Sequence, residues 1–277
     1  MTAILNGISL TLEKELQSLM LYNYGVFTTF LFQGGKVKGL DLHLQRLQAD
    51  CQALFGSKPS NLEIKQQLQR FLQEFGSAET VVIRITVFPQ TFSLTHPENI
   101  NHLNILVTGR IANPIQPKPL KLMEVEADRP FPHHKTTTLT VNLYARRIAK
   151  QHGYDDALLI HRGLVTEGTT WNIFFLQGNH LFTPPLTDGL LPGIVRGQIL
   201  QGASHSGFHV WEKSIEPETY EAYDSCFICN SVLGIVTVAC VQTHAHAKIQ
   251  HFNHQSKTVV YIQELYEKIE RQTIEGI

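Results

Sequence analysis

The chain has 277 residues, 43% hydrophobic and 17% charged, a globular composition long enough for one large domain or two modest ones. Its 23 Lys and Arg against 24 Asp and Glu leave a net charge of -1, which excludes a summed field able to hold nucleic acid or an anionic membrane; small-molecule or protein partners are expected. Four cysteines, Cys51, Cys226, Cys229 and Cys240, are too few and too dispersed for a disulfide framework and fit a reducing, cytoplasmic setting.

In chain order, the opening MTAILNGISLTLEKELQSL lacks a basic segment followed by an unbroken apolar run, and no later stretch reaches the length of a membrane span. Neither a leader nor a span is therefore expected. Apolar runs predict strands over Val26–Gln33, Glu79–Phe88 and Leu103–Thr108, and helical periodicity predicts helices near Asp41–Phe55 and Leu62–Phe75. In the first of these helices Leu44, Leu47, Cys51 and Leu54 share one face, with Arg46 at its margin. This part, 1–111, reads as a small α/β domain. The tract ANPIQPKPLK, Ala112–Lys121, holds three prolines without periodicity and reads as an interdomain linker.

The remainder, 122–277, reads as a larger, β-rich domain. A helix after Lys135 ends near Gly153, which suits a left-handed cap. The runs ALLIH, LVTEG, WNIFFLQ and HLFTP read as strands separated by RG and GN turn signals. Helices are expected at PGIVRGQILQ and at TVVYIQELYEKIERQ. The pair CFIC lies within an apolar strand run, which places its two sulfurs in different surroundings; no second Cys or His pair stands at structural zinc spacing, and no metal site is expected. In HAHAKIQHFNH, His244 and His246 share a strand face and, with His251 and His254, read as exposed edge positions.

Several chemically able residues fall at element edges. Lys135 precedes a helix, and Glu167 closes the strand LVTE. Pro192 and Gly193 precede a helix start, leaving the Ile194 and Val195 amides without intrahelical partners, an arrangement that binds phosphate readily. Asn230 and Ser231 stand at a strand terminus. Phe27 and Thr29 share a strand face, and Thr28 points the other way.

Taken in order, GVFTT, HLQRL, Lys135, GYDDALLIHRGLVTEGTTWNIFF, LFTPPL, LLPGIVR and CFICNSVLGIVTV resemble the fold-type IV pyridoxal-phosphate enzymes. These include branched-chain and D-amino-acid aminotransferases and aminodeoxychorismate lyase. The resemblance implies a two-domain α/β (α+β) fold, a homodimer acting on a small amino substrate, and pyridoxal 5'-phosphate as cofactor. It implies that Lys135 carries the cofactor covalently and that Glu167 pairs with its pyridine nitrogen. Arg46, the Ile194 and Val195 amides and Ser231 would anchor its phosphate, with Leu191 packed on the ring and Thr170 and Asn172 nearby. The stretch FTT is similar to the lyase, in which Thr29 would assist proton transfer at the leaving group; the implied activity is release of pyruvate and 4-aminobenzoate from 4-amino-4-deoxychorismate. The alternative is a transaminase for branched-chain or D-amino acids with a 2-oxo acid acceptor. Where the family often shows Arg-Gly after the strand RITV, this chain has Phe88-Pro89, so a substrate carboxylate must find another cation. Arg84, Arg110, Arg129 and His134 are candidates.

Overall fold

The computed structural model describes residues 2–5, 8–11, 16–76, 80–112, 118–243 and 248–274. It divides into two compact units, one comprising Met1–Ala112, Lys135–Thr138 and Arg271–Ile277, the other Asn113–His134 and Leu139–Glu270.

The first unit opens with a hairpin of β1 (Thr2–Leu5) and β2 (Ile8–Thr11), then α1 (Gln17–Tyr22), β3 (Val26–Gln33), β4 (Lys36–Lys38), α2 (Leu40–Phe55), α3 (Asn61–Phe75), β5 (Thr80–Pro89) and β6 (Leu103–Ile111). β3 lies at the centre of an antiparallel sheet whose order is the closing strand Arg271–Thr273, then β4, β3, β5 and β6. The period of two along β3 sends Val26, Phe30 and Phe32 to one face. There they join Ile83, Ile85 and Val87 of β5, Leu40, Leu44, Leu47 and Cys51 of α2, and Ile64, Leu68 and Leu72 of α3 in one core. Burying each such Leu or Ile contributes roughly 1.5–3 kcal/mol, and truncating fully buried Leu47 to Ala would cost about 2–5 kcal/mol. Gly39 and Gly56, with φ of 64° and 68°, bracket α2, and Ser60 with Glu63 forms a capping box that starts α3.

β5 covers one edge of β3 along its whole length, whereas β4 covers only Phe32 and Gln33 on the other. The start of that second edge is taken by the lysine segment. Phe27 N–H donates to the Lys135 carbonyl at 2.8 Å, Thr137 N–H donates to the Gly25 carbonyl at 2.8 Å, and Val26 bridges Thr136. A side chain at Gly25 would stand 3.1 Å from Thr137 Cγ2 and 3.3 Å from the Val87 carbonyl oxygen, so glycine permits this close approach.

The second unit contains β7 (Leu120–Glu126), α4 (Thr140–Gln151), β8 (Asp156–His161), β9 (Leu164–Gly168), β10 (Asn172–Gln177), β11 (His180–Thr183), α5 (Ile194–Ser204), β12 (His209–Glu212), β13 (Ser225–Asn230), β14 (Gly234–Gln242), β15 (Ile249–His251) and α6 (Lys257–Glu267). The sheet order is β12-β11-β10-β13-β14-β7-β8-β9, with β15 also on β14. Its strands read as near-continuous apolar runs because both faces are covered. Phe174, Leu176, Phe227 and Cys229 face Val195 and Ile199 of α5 and Val259 and Ile262 of α6, whereas Ile173, Phe175, Cys226 and Ile228 face Tyr220, Tyr223 and Phe252. The two sulfurs of CFIC thus enter different cores, and burial pushes the Cys229 thiol up to about 12. The turn residues Arg162, Gly163 and Gly178 take positive φ, as the RG and GN signals require.

Some elements depart from expectation. Leu120–Glu126 is a strand inside and beyond the stretch read as linker, because it pairs in parallel with both β14 and β8; residues 113–117 of that stretch lie outside the described residues, as do His244 and His246. The last helix stops at Glu267, and Arg271–Thr273 instead pairs with β4. Among the described residues no helix is long and apolar enough to cross a membrane.

Candidate active site

The expected site residues fall into two groups, one in each unit. In the first unit, β3 sends Thr28 toward α2 and Phe27 and Thr29 to the opposite face. Thr28 is fully buried, lies 2.7 Å from His43 Nδ1 and accepts a hydrogen bond from Arg46 Nη2 at 3.3 Å. The direction of the Thr28–His43 hydrogen bond follows the imidazole tautomer, because the hydroxyl can accept from Arg46 and still either donate to Nδ1 or accept from it. Burial, reinforced by the positive charges of Arg46 and Lys135, holds His43 well below the usual histidine range. On the other face Thr29 stands directly opposite Arg84, and Phe27 opposite Thr86. The Arg84 guanidinium lies 3.7 Å from the centroid of the Phe27 ring, and the Lys135 amine nitrogen lies 4.8 Å from the same centroid. Arg84 is half-buried, which lowers its pKa, yet a guanidinium stays charged throughout the physiological range. The backbone of Lys135 is held at both ends: its N–H donates to Asp50 Oδ2 at 3.1 Å and its carbonyl accepts from Phe27.

In the second unit Glu167 is 5% exposed at the end of β9. Arg129 Nε donates to its Oε1 at 2.8 Å, and the Leu191 N–H donates to its Oε2 at 3.1 Å. Arg129 also donates to the carbonyls of His134 and Pro132. Asn172 Nδ2 donates to the Leu191 carbonyl at 3.0 Å, which joins Glu167, Leu191 and Asn172 in one network. That network leads to the start of α5. Its N-cap Gly193 has no side chain to bond the first turn, and a Cβ there would come within 1.9 Å of Asn172 Oδ1. The Ile194 and Val195 amides therefore begin an uncapped helix.

Two expected residues stand apart from this network. Thr170 is exposed and accepts from Arg146 Nη2, in a cluster centred on buried Asp156. Ser231 sits in the turn after β13, where Asn230 Oδ1 accepts from the Val232 and Leu233 amides. The four cation candidates now separate. Arg129 is engaged with Glu167, the carbonyl of His134 is engaged with Arg129, and Arg110 is exposed near the end of β6. The Arg84 guanidinium lies on the Phe27 ring. Sequence reading missed His43, Asp50 and the attachment of Arg129 to Glu167. A polar residue inside the apolar stripe of α2 was the available signal for the first two.

These residues suit pyridoxal phosphate. A buried carboxylate already paired with a cation matches a protonated pyridine nitrogen in charge, and an uncapped helix start with a glycine N-cap matches a phosphate. A lysine amine on an aromatic face, clamped through its backbone, matches the group that carries the cofactor.

The chain belongs to the class IV amino-transferase family, which matches residues 25–241, and its cofactor is pyridoxal phosphate. It is 28% identical over 261 residues to a Rickettsia bellii protein named "Probable branched-chain-amino-acid aminotransferase", covering 90% of this chain and 88% of that one. It is 26% identical over 269 residues to the aminodeoxychorismate lyase of Bacillus subtilis, covering 90% and 86%. Among solved structures, a Legionella pneumophila protein provisionally named 4-amino-4-deoxychorismate lyase superposes with a TM-score of 0.83 at 22% identity, covering 94% of this chain and 96% of that one.

Proposed function

We propose that this protein is a cytoplasmic, homodimeric 4-amino-4-deoxychorismate lyase. The observation that carries the reading is the sheet face on which Thr29 stands opposite Arg84, next to the Phe27 ring that lies under the Lys135 amine. A hydroxyl, a cation and an amine so grouped suit an anionic substrate that must lose a proton at one carbon and an oxygen leaving group at the next.

When bound, pyridoxal phosphate supplies an electron sink for the carbon that bears the substrate amine. Lys135 is assigned to hold the cofactor and to take the proton from that carbon. Glu167, fixed by Arg129 and the Leu191 amide, would hold the pyridine nitrogen, and Arg46, Ser231 and the Ile194 and Val195 amides would hold the phosphate. Leu191 would lie against the ring with Asn172 beside it, whereas Thr170 belongs to the Asp156 cluster. Arg84 receives a substrate carboxylate in place of the arginine missing at Phe88-Pro89. The Thr29 hydroxyl delivers a proton as the ring carbon–oxygen bond breaks. The departing enolpyruvyl group becomes pyruvate, the ring becomes aromatic, and the proton count closes without water or a second substrate. A transaminase reading is favoured by the name of the Rickettsia relative and uses the same lysine.

The purified protein given aminodeoxychorismate alone should release pyruvate and 4-aminobenzoate in equal amounts. Thr29→Val should slow that release about 100-fold and leave cofactor binding intact. Exchange of amino groups between an amino acid and 2-oxoglutarate, without pyruvate from aminodeoxychorismate, would replace the lyase reading with the transaminase one.

A further inference from the structure

We infer that Asp50 is a positioning residue for Lys135: its buried carboxylate fixes the peptide group from which the lysine side chain projects. This rests on the reading of Lys135 as the cofactor lysine. α2 presents Leu44, Leu47, Cys51 and Phe55 to the core, and Asp50, at 2% exposure, is an acid set among them. A buried carboxylate is unfavourable unless hydrogen bonds or charges compensate it, and leucine at this position would serve packing better. Among its bonds there, the carboxylate accepts the Lys135 N–H, 85 residues away in sequence. A charged acceptor makes that bond stronger than a neutral carbonyl would.

The geometry gives the bond a purpose. The Lys135 carbonyl is taken by the Phe27 amide, and the Thr137 amide by the Gly25 carbonyl. With the Asp50 bond, the peptide groups on both sides of the Lys135 Cα are tied to α2 and β3. The remaining freedom is that of the side chain, whose amine lies at the Phe27 ring. Without Asp50 the peptide group ahead of Lys135 would keep the Arg129 bond to the His134 carbonyl but lose the one to its N–H, and the Cα–Cβ direction would gain freedom that a four-carbon side chain amplifies at its tip. Residues that hold a reacting group within a fraction of an ångström act in this way.

The test uses the full chain freed of cofactor, with two readouts. One is hydrogen exchange at the Lys135 amide; the other is the rate at which added pyridoxal phosphate becomes fixed to Lys135 by borohydride. In the wild type the Lys135 amide should exchange with the slow core amides. Asp50→Ala should speed its exchange about tenfold or more and slow labelling of Lys135 by about the same factor, while the Phe30 and Ile83 amides stay protected. Asp50→Asn, which keeps an acceptor oxygen, should remain within about threefold of wild type on both. A Lys135 amide that exchanges as fast as exposed loops in the wild type would overturn the proposal even if Asp50→Ala fails to fold. So would an Asp50→Ala protein unchanged on both readouts, or an Asp50→Asn protein as impaired as Asp50→Ala. Label on another lysine in the wild type, with a protected Lys135 amide, would instead remove the functional reading on which the inference rests.

Discussion

Replacing Arg129 by methionine tests whether Glu167 depends on its partner. The two side chains are 10% and 7% exposed and meet at 2.8 Å, so solvent screening is weak. Removing one member of a buried pair leaves an uncompensated charge and typically costs about 3–5 kcal/mol. At roughly 2–4 °C per kcal/mol for a protein of this size, Arg129→Met should lower the melting temperature of the cofactor-free protein by about 6–20 °C. Glu167→Gln in the same background removes the stranded charge and keeps an oxygen for the Leu191 amide. The double variant should therefore be more stable than Arg129→Met alone, with a coupling of at least about 2 kcal/mol in a double-mutant cycle. Thermal unfolding by near-ultraviolet circular dichroism reads all four proteins. A single variant within about 1 kcal/mol of wild type, or strict additivity, would refute the claim that this pair is a buried unit.

Gly193→Ala should weaken pyridoxal-phosphate affinity at least tenfold, because the new Cβ meets Asn172 Oδ1 at 1.9 Å and must displace the side chain that holds the Leu191 carbonyl; equilibrium titration reads this, and unchanged affinity would remove the helix start from the phosphate site. His43 predicts a pH dependence. Its folded pKa lies below the unfolded value of 6.5, so above that pH both states are neutral, and below it the unfolded state alone gains the proton. Stability should fall with decreasing pH by up to about 1.4 kcal/mol per unit from this residue, and denaturant unfolding from pH 7 to pH 5 should show a shallower slope in His43→Gln; equal slopes would count against a neutral buried imidazole. Glu167→Gln should retain the cofactor and slow turnover by about tenfold or more in single-turnover measurements, and wild-type rates would dismiss its assigned role.

Much of the fold was legible because its signals are local. The strand Val26–Gln33, the helices of the first unit and the RG and GN turns follow from periodicity and from residues that accept positive φ. Leu120–Glu126 escaped because its pairing is parallel and long-range, with strands that begin at Asp156 and Gly234. Arg271–Thr273 escaped because its antiparallel partner, Lys36–Lys38, lies more than 200 residues away in sequence. The candidate site divided likewise. Lys135, Glu167 and the Gly193 helix start were visible as chemistry at element edges. Asp50 was hidden because α2 reads as an ordinary amphipathic helix, and its meaning appears only when residue 135 is placed beside it. The choice among Arg84, Arg110, Arg129 and His134 required knowing that Arg129 is engaged by Glu167 and that Arg84 stacks on Phe27.

Whether Lys135 carries pyridoxal phosphate is decided by borohydride reduction of the cofactor-loaded protein followed by peptide mapping. One equivalent of reduced cofactor per chain is expected, on the peptide containing Lys135, and none in Lys135→Ala, which should fold but not turn over. Label on any other lysine, such as Lys213 beside the Phe182 ring, or stoichiometric label in Lys135→Ala, would contradict it.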